Sequence, residues 1–402
     1  MPLRSSFLAL CAVFAACSPL FCSAANAQTK RRGYSLASRS FTLRLNLPRV
    51  STVRVQRAPQ VRLAALPVSA APRRVIYDAP VAKAAPNSIA LGAYVWQDGQ
   101  TAPGDSGAVA AWHSRAGRLP AVWLIYQSWT GWNQFPVEPA RRARQLGGKL
   151  LITWEPWSGQ VHDPNWSCAR VAGGAYDTYI RTYARAVRNS RVPVMIRFAH
   201  EMNGDWYPWG TAYSSLSRRN NGNSPQHYVA MWRRVVDIFR QEGAHNATWV
   251  WSPNILYWNH ANSLEDQNSD LRVLYPGHDY VDWIGLSVYN DASRRPWQTF
   301  STLFDAAYHT VTRISPRPLM VAEMGVTEVG APSGTNKAAW ISQTLLNEIP
   351  TRYPRVRLVN WFCRDKTAFG EADYRFDSSP ASLRAFRVAV NSPLYRGQLA
   401  GR

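Results

Sequence analysis

Two glutamates close apolar runs in this 402-residue chain: Glu201, within RFAHEMNGDWYPWG and just after VPVMI, and Glu323, within PLMVAEMGV. A carboxylate that ends an apolar run is held by a strand end. Two such groups facing each other about 5 to 5.5 Å apart can hydrolyse a glycosidic bond with retention, one protonating the leaving oxygen while the other attacks the anomeric carbon. Their surroundings must then keep the acid protonated and the nucleophile ionised. Tyr289 is placed to donate a hydrogen bond to Glu323, His200 and Asn203 flank Glu201, and Arg197 sits four residues before it. A buried guanidinium needs a carboxylate partner, so Arg197 either orients one of the pair or forms a structural ion pair. Zinc hydrolysis is excluded, because the His-Glu pair lacks a second His four residues on, where Gly204 stands; no GxSxG motif supports a serine nucleophile. No metal or other cofactor is expected.

The elements that must hold these residues are visible as eight short apolar runs: IALGAYVW, AVWLIYQSW, KLLITWEPW, PVMIRFAHE, ATWVWSPN, VDWIGLSVYN, PLMVAEMGV and VRLVNWF. Helical periodicity fills the gaps, as in PQHYVAMWRRVVDIFRQEG, where Val229, Trp232, Val236 and Phe239 recur at spacings of three and four. This alternation predicts a (β/α)8 TIM barrel whose strands are buried on both faces. Polar residues gather at the C-terminal ends of the runs, the face on which such barrels carry their sites: Trp96 and Asp98, Glu155, Glu201, Asn254, Tyr289 and Asn290, Glu323, and Trp361. Strand alternation predicts that Met195, Arg197 and Ala199 point inward with Glu201 while Val194, Ile196 and Phe198 face the helices. By the same rule Leu319 and Val321 point inward with Glu323. Glu155 either grips a hydroxyl outside the cleavage point or pairs with an arginine.

Composition sets the wider frame. Eighteen Trp and eighteen Tyr exceed what a core needs and suggest aromatic platforms in a cleft, with Trp206, Trp209, Trp157 and Trp258 as the candidates. Residues 1–27 read as a secretory signal ending in Ala25-Asn26-Ala27, which predicts a secreted extracellular or periplasmic protein. Acylation at Cys17 to give a lipoprotein is the alternative. Only Cys168 and Cys363 lie beyond this leader, in no metal-binding pattern, and one disulfide between them is open. Residues 28–88 form a basic low-complexity extension with twelve Lys or Arg against Asp78 alone, about half of the chain's net charge of +21. Such an arm suits an anionic cell-surface polymer or serves as a plain tether; an exported chain makes nucleic acid a poor partner. Residues 89–402 form the predicted catalytic domain, which is expected to be a monomer without a transmembrane segment.

The segment RFAHEMNGDWYPWG resembles the acid/base motif of glycoside hydrolase family 26, and VAEMG resembles that family's nucleophile strand. WVWSPN, VDWIGLSVYN and NWF stand in the expected order, so the resemblance spans roughly residues 89 to 386. It implies Glu201 as acid/base and Glu323 as nucleophile. It also implies His200, Trp206, Tyr289 and Trp361 as groups contacting sugar or supporting the carboxylates. Members of the family cut β-1,4-mannan, mixed-linkage β-glucan or β-1,3-xylan. The ending ITWEPW departs from the mannan-cutting members, which tend to carry a His there, and looks more like the glucan- or xylan-cutting branch. The resemblance therefore implies a secreted retaining endo-β-glycosidase acting on a polysaccharide. The alternatives are a hydrolase of the producer's own exopolysaccharide and a non-catalytic polysaccharide-binding barrel.

Overall fold

The computed structural model describes residues 88–97, 100–131, 133–211, 221–255 and 271–398. The expected leader, the basic extension up to residue 87, Asp98 and Trp258 lie outside these residues. Eight parallel strands form the centre: β1 Ile89–Gln97, β2 Val122–Ser128, β3 Lys149–Glu155, β4 Val194–Phe198, β5 Ala247–Trp251, β6 Trp283–Asn290, β7 Leu319–Val326 and β8 Val356–Cys363. Each pairs with the next, and β8 pairs back onto β1, so the sheet closes into a (β/α)8 barrel. The eight apolar runs are these eight strands.

Helices cover the outside: α1 Ser106–Ala116, α2 Val137–Gln145, α3 Cys168–Ala172, α4 Asp177–Ser190, α5 Pro225–Gln241, α6 Phe300–Ile314, α7 Lys337–Ser342, α8 Ile349–Arg352 and α9 Pro380–Asn391, with a π-helical turn, Gln343–Glu348, joining α7 to α8. Their starts are written locally. Asp105, Ser224, Thr299, Asn336 and Ser379 each accept a hydrogen bond from a backbone amide in the first turn of the helix that follows, satisfying donors that a helix end leaves open. Helix α5 buries Tyr228, Met231, Trp232, Val235, Val236 and Phe239. Val229, expected on that stripe, is only partly buried, because the stripe lies a fraction of a turn away from the predicted one.

Inside the barrel, Ala90, Tyr94, Val122, Leu124, Leu151, Met195, Val250, Met320, Leu358 and Phe362 form their own apolar cluster, separate from the larger one between strands and helices. On β4, Met195 faces this interior and Val194, Ile196 and Phe198 face the helices, as alternation predicts. Ala199 does not follow, since β4 ends at Phe198 and Ala199 takes a left-handed φ of 40°. The prediction for β7 is also corrected. Leu319 and Val321 pack in the outer cluster, whereas Met320 and Ala322 face the interior. The cause is a β-bulge: Leu286 pairs with Val321 but Ser287 pairs with Glu323, leaving Ala322 as an extra residue. Such a bulge re-aims the side chains beyond it, and here it turns Glu323 toward the barrel axis.

Cys168 and Cys363 are both buried free thiols, which settles the open disulfide against pairing. Burial pushes the Cys363 thiol up to about 12, so it stays protonated and unreactive.

Candidate active site

The site is assembled around Arg197, which is fully buried. Its Nε donates to Ser252 Oγ at 2.8 Å from the end of β5, and its Nη2 donates to Ser287 Oγ at 2.7 Å from β6. Nη1 donates to Glu323 Oε1, while Nη2 lies 3.8 Å from Glu201 Oε1. One cation therefore serves both carboxylates unequally, bonded to Glu323 and merely close to Glu201. The second oxygen of Glu323 accepts the Tyr289 hydroxyl at 2.6 Å. With both of its oxygens taken by donors, Glu323 has the surroundings an anionic carboxylate requires.

Glu201 has a different environment. It follows the strand end with φ at 53°, a costly conformation for a residue with a Cβ. The turn is held by Glu201 N donating to Ser252 O at 2.7 Å and by Trp209 Nε1 donating to His200 O at 2.6 Å. Burial, and then the negative charge of Glu323, raise the proton affinity of Glu201; Arg197, Ser287 and the Trp206 indole lower it by a smaller total. Trp206 Nε1 donates to Glu201 Oε2 at 2.8 Å. An oxygen of Glu201 and an oxygen of Glu323 lie within 4.8 Å of each other. The pair can thus share one saccharide unit, with one carboxyl inclined to hold a proton and the other bonded to a guanidinium and a phenol.

The remaining expected residues divide. His200 is buried, with Nε2 at 2.9 Å from the Tyr207 hydroxyl and Nδ1 without a partner among the described residues. Burial and the nearby Arg197 charge hold its pKa well below the usual range, so it is a neutral ring. Glu155 is buried at the end of β3 and forms no ion pair among the described residues, which removes the arginine alternative. Burial first, and Glu323 second, push its carboxyl up to about 8. Trp206 is half-buried and lines the cleft together with Glu201, Tyr289, Glu323, Phe362 and Tyr374.

Asn203 forms a latch: its amide donates to Asn254 O at 3.0 Å and accepts from Asn254 N at 2.9 Å, tying the loop after β4 to the end of β5 and leaving one N–H and one lone pair over. Two expectations are corrected. Trp209 and Trp157 are buried rather than open platforms; Trp209 stacks on Tyr207 at 4.4 Å and meets Trp157 at 6.0 Å, bracing the strained turn. Trp361 is buried on the outer face of β8 against Phe386 of α9, with its Nε1 donating to Tyr374 O at 3.0 Å. Its neighbour Phe362 faces the cleft instead. Alternation along β8 carries that signal, since Leu358 and Phe362 are four apart on the inner face. Ser252 and Ser287 were also legible by alternation, whereas Tyr374, Lys366 and Glu371 reach the cleft from the loop after β8 and have no such signal.

A closed parallel barrel with paired carboxylates at the C-terminal mouth of its strands defines the class of protein. Comparison with known proteins narrows it. The profile of glycosyl hydrolase family 26 matches residues 167–350, within the barrel, which makes this domain similar to that family. Endoglucanase H of Acetivibrio thermocellus is 35% identical over 250 residues, 61% of this chain and 25% of that protein. A mannan endo-1,4-β-mannosidase of Bacillus subtilis strain 168 is 33% identical over 105 residues, 26% of this chain and 25% of that protein. The chain thus spans about a quarter of the length of each of these relatives. Among solved structures, a family 26 β-mannanase from Bacteroides ovatus superposes with a TM-score of 0.55 at 20% identity, over 77% of this chain and 90% of that one. That likeness concerns the fold.

Proposed function

We propose that the protein is a secreted retaining endo-β-glycanase that hydrolyses a β-linked polysaccharide by double displacement. The observation that carries this reading is the pair of carboxyl oxygens within 4.8 Å of each other, close enough for direct attack and too close to seat a water between acid and base. Glu323 attacks the anomeric carbon while Glu201 gives its proton to the departing oxygen. The resulting ester removes the negative charge of Glu323, one of the influences that raise Glu201. Glu201, already a carboxylate after giving up its proton, stays ionised more readily without that charge, takes a proton from water, and the water oxygen displaces Glu323 with a second inversion. Because Glu201 must begin protonated, kcat/KM falls as pH rises through its raised pKa.

Within the family's substrates we favour β-glucan over β-1,4-mannan. The identity to Endoglucanase H extends over 250 residues against 105 for the mannosidase, and a buried carboxyl, Glu155, occupies the end of β3. Incubation with mixed-linkage β-glucan, β-1,4-mannan, β-1,3-xylan and acidic exopolysaccharides, followed by assay of new reducing ends, tests the reading. The largest release is expected from the glucan, and Glu323→Ala should lower it by at least about a thousandfold while the variant is still retarded by that polymer in a gel. Release from the exopolysaccharide alone would favour action on the producer's own matrix. No release from any polymer, with gel retardation kept, would favour a non-catalytic binding barrel.

The basic residues 28–88 hold the enzyme near anionic cell-surface polymer in this reading. Retention of the full chain on such a polymer should weaken steeply as salt is raised, and retention indifferent to salt would count against it. No helix among the described residues is long and apolar enough to cross a membrane.

A further inference from the structure

We infer that the hairpin after β8 carries a second sugar-binding platform, with Phe369 as the ring on which a pyranose of the bound chain stacks beyond the cleavage point. The inference rests on the glycanase reading for the identity of the chain. Phe369 is 48% exposed and is the only exposed Phe, Tyr or Trp among the described residues. An aromatic ring held in water contributes little to folding, and an aromatic face beside a polysaccharide cleft is the surface on which the C–H face of a sugar packs.

The hairpin is built to keep that ring in place. Lys366 N donates to Ala372 O at 3.0 Å, Tyr374 N to Arg364 O at 3.0 Å, and Phe369 N to Lys366 O at 2.9 Å. Thr367 bonds to Asp365 Oδ1 through both its amide at 2.9 Å and its hydroxyl at 2.7 Å. Gly370 closes the tip with φ at 70°, and its carbonyl accepts Arg294 Nη2 at 2.6 Å from the loop after β6. The ring is also backed from within. The Arg364 guanidinium lies 5.1 Å from the Phe369 centroid and 4.6 Å from that of Trp96, so one cation contacts both the hairpin tip and the mouth end of β1. Such a cation–π contact favours one position of an exposed ring.

Continuity with the cleft supplies the occupant. Lys366 and Glu371, on the two arms of the same hairpin, line the cleft that holds Glu201 and Glu323. A chain long enough to leave that cleft over this wall meets the tip. A neutral pyranose is therefore the ligand.

The test uses the full chain and its Phe369→Ala and Phe369→Trp variants on β-glucan and on its oligosaccharides of increasing length. For the polymer and the longest oligosaccharides, Phe369→Ala should raise KM roughly fivefold to tenfold with kcat changed less than about twofold. The effect should shrink as the substrate shortens, and Phe369→Trp should restore the wild-type value. Gel retardation by the same polymer, which needs no turnover, should weaken in parallel. A KM and retardation unchanged by Phe369→Ala, or changed equally at every length, would overturn the platform. If the wild type releases no reducing ends, the glycanase reading fails, and retardation still decides whether Phe369 binds the polymer.

Discussion

Glu201 and Glu323 are the same side chain in two electrostatic settings. Glu323 is bonded by Arg197 and Tyr289, while Glu201 sees that cation only at 3.8 Å and has the Trp206 indole as a donor. In the proposed mechanism this asymmetry makes Glu201 the acid and Glu323 the nucleophile. It also fixes the sign of a pH effect. The indole hydrogen bond favours the ionised form of Glu201, so Trp206→Phe should raise the pKa of the acid further. The alkaline limb of kcat/KM should therefore move to higher pH. A limb that stayed in place or moved down would show that another group supplies the proton.

Strands and loops place these residues, and here the sequence reads well in some respects and poorly in others. The eight apolar runs are legible because parallel strands buried on both faces carry no polar interruption until their ends. Alternation correctly turns Arg197 inward on β4 but fails on β7, because the single extra residue at Ala322 reverses parity and nothing in LMVAEMGV announces it. The tryptophans are harder still. Trp206, Trp209 and Trp361 are chemically alike, and only packing distinguishes a cleft wall from a brace or an outer-face filler. Asn203 shows the same limit, being a latch between two loops. Asn203→Ala removes both hydrogen bonds to Asn254 and should cost about 1 to 3 kcal/mol of stability, read as a lower midpoint in urea. An unchanged midpoint with a raised KM would return Asn203 to the role of sugar contact.

At the scale of the molecule, a rigid closed barrel lets eight separate strand ends converge on one axis, so residues from Thr153 to Glu323 meet around a single guanidinium. The buried interior beneath them excludes water, which strengthens each charge interaction and makes the separation of the two carboxyls consequential. That separation is the central claim, and stereochemistry reads it directly. Proton NMR during the first minutes of β-glucan oligosaccharide hydrolysis, before mutarotation, should show the new reducing end appearing as the β-anomer. Appearance of the α-anomer first would mean single inversion by water, and would contradict direct attack by Glu323.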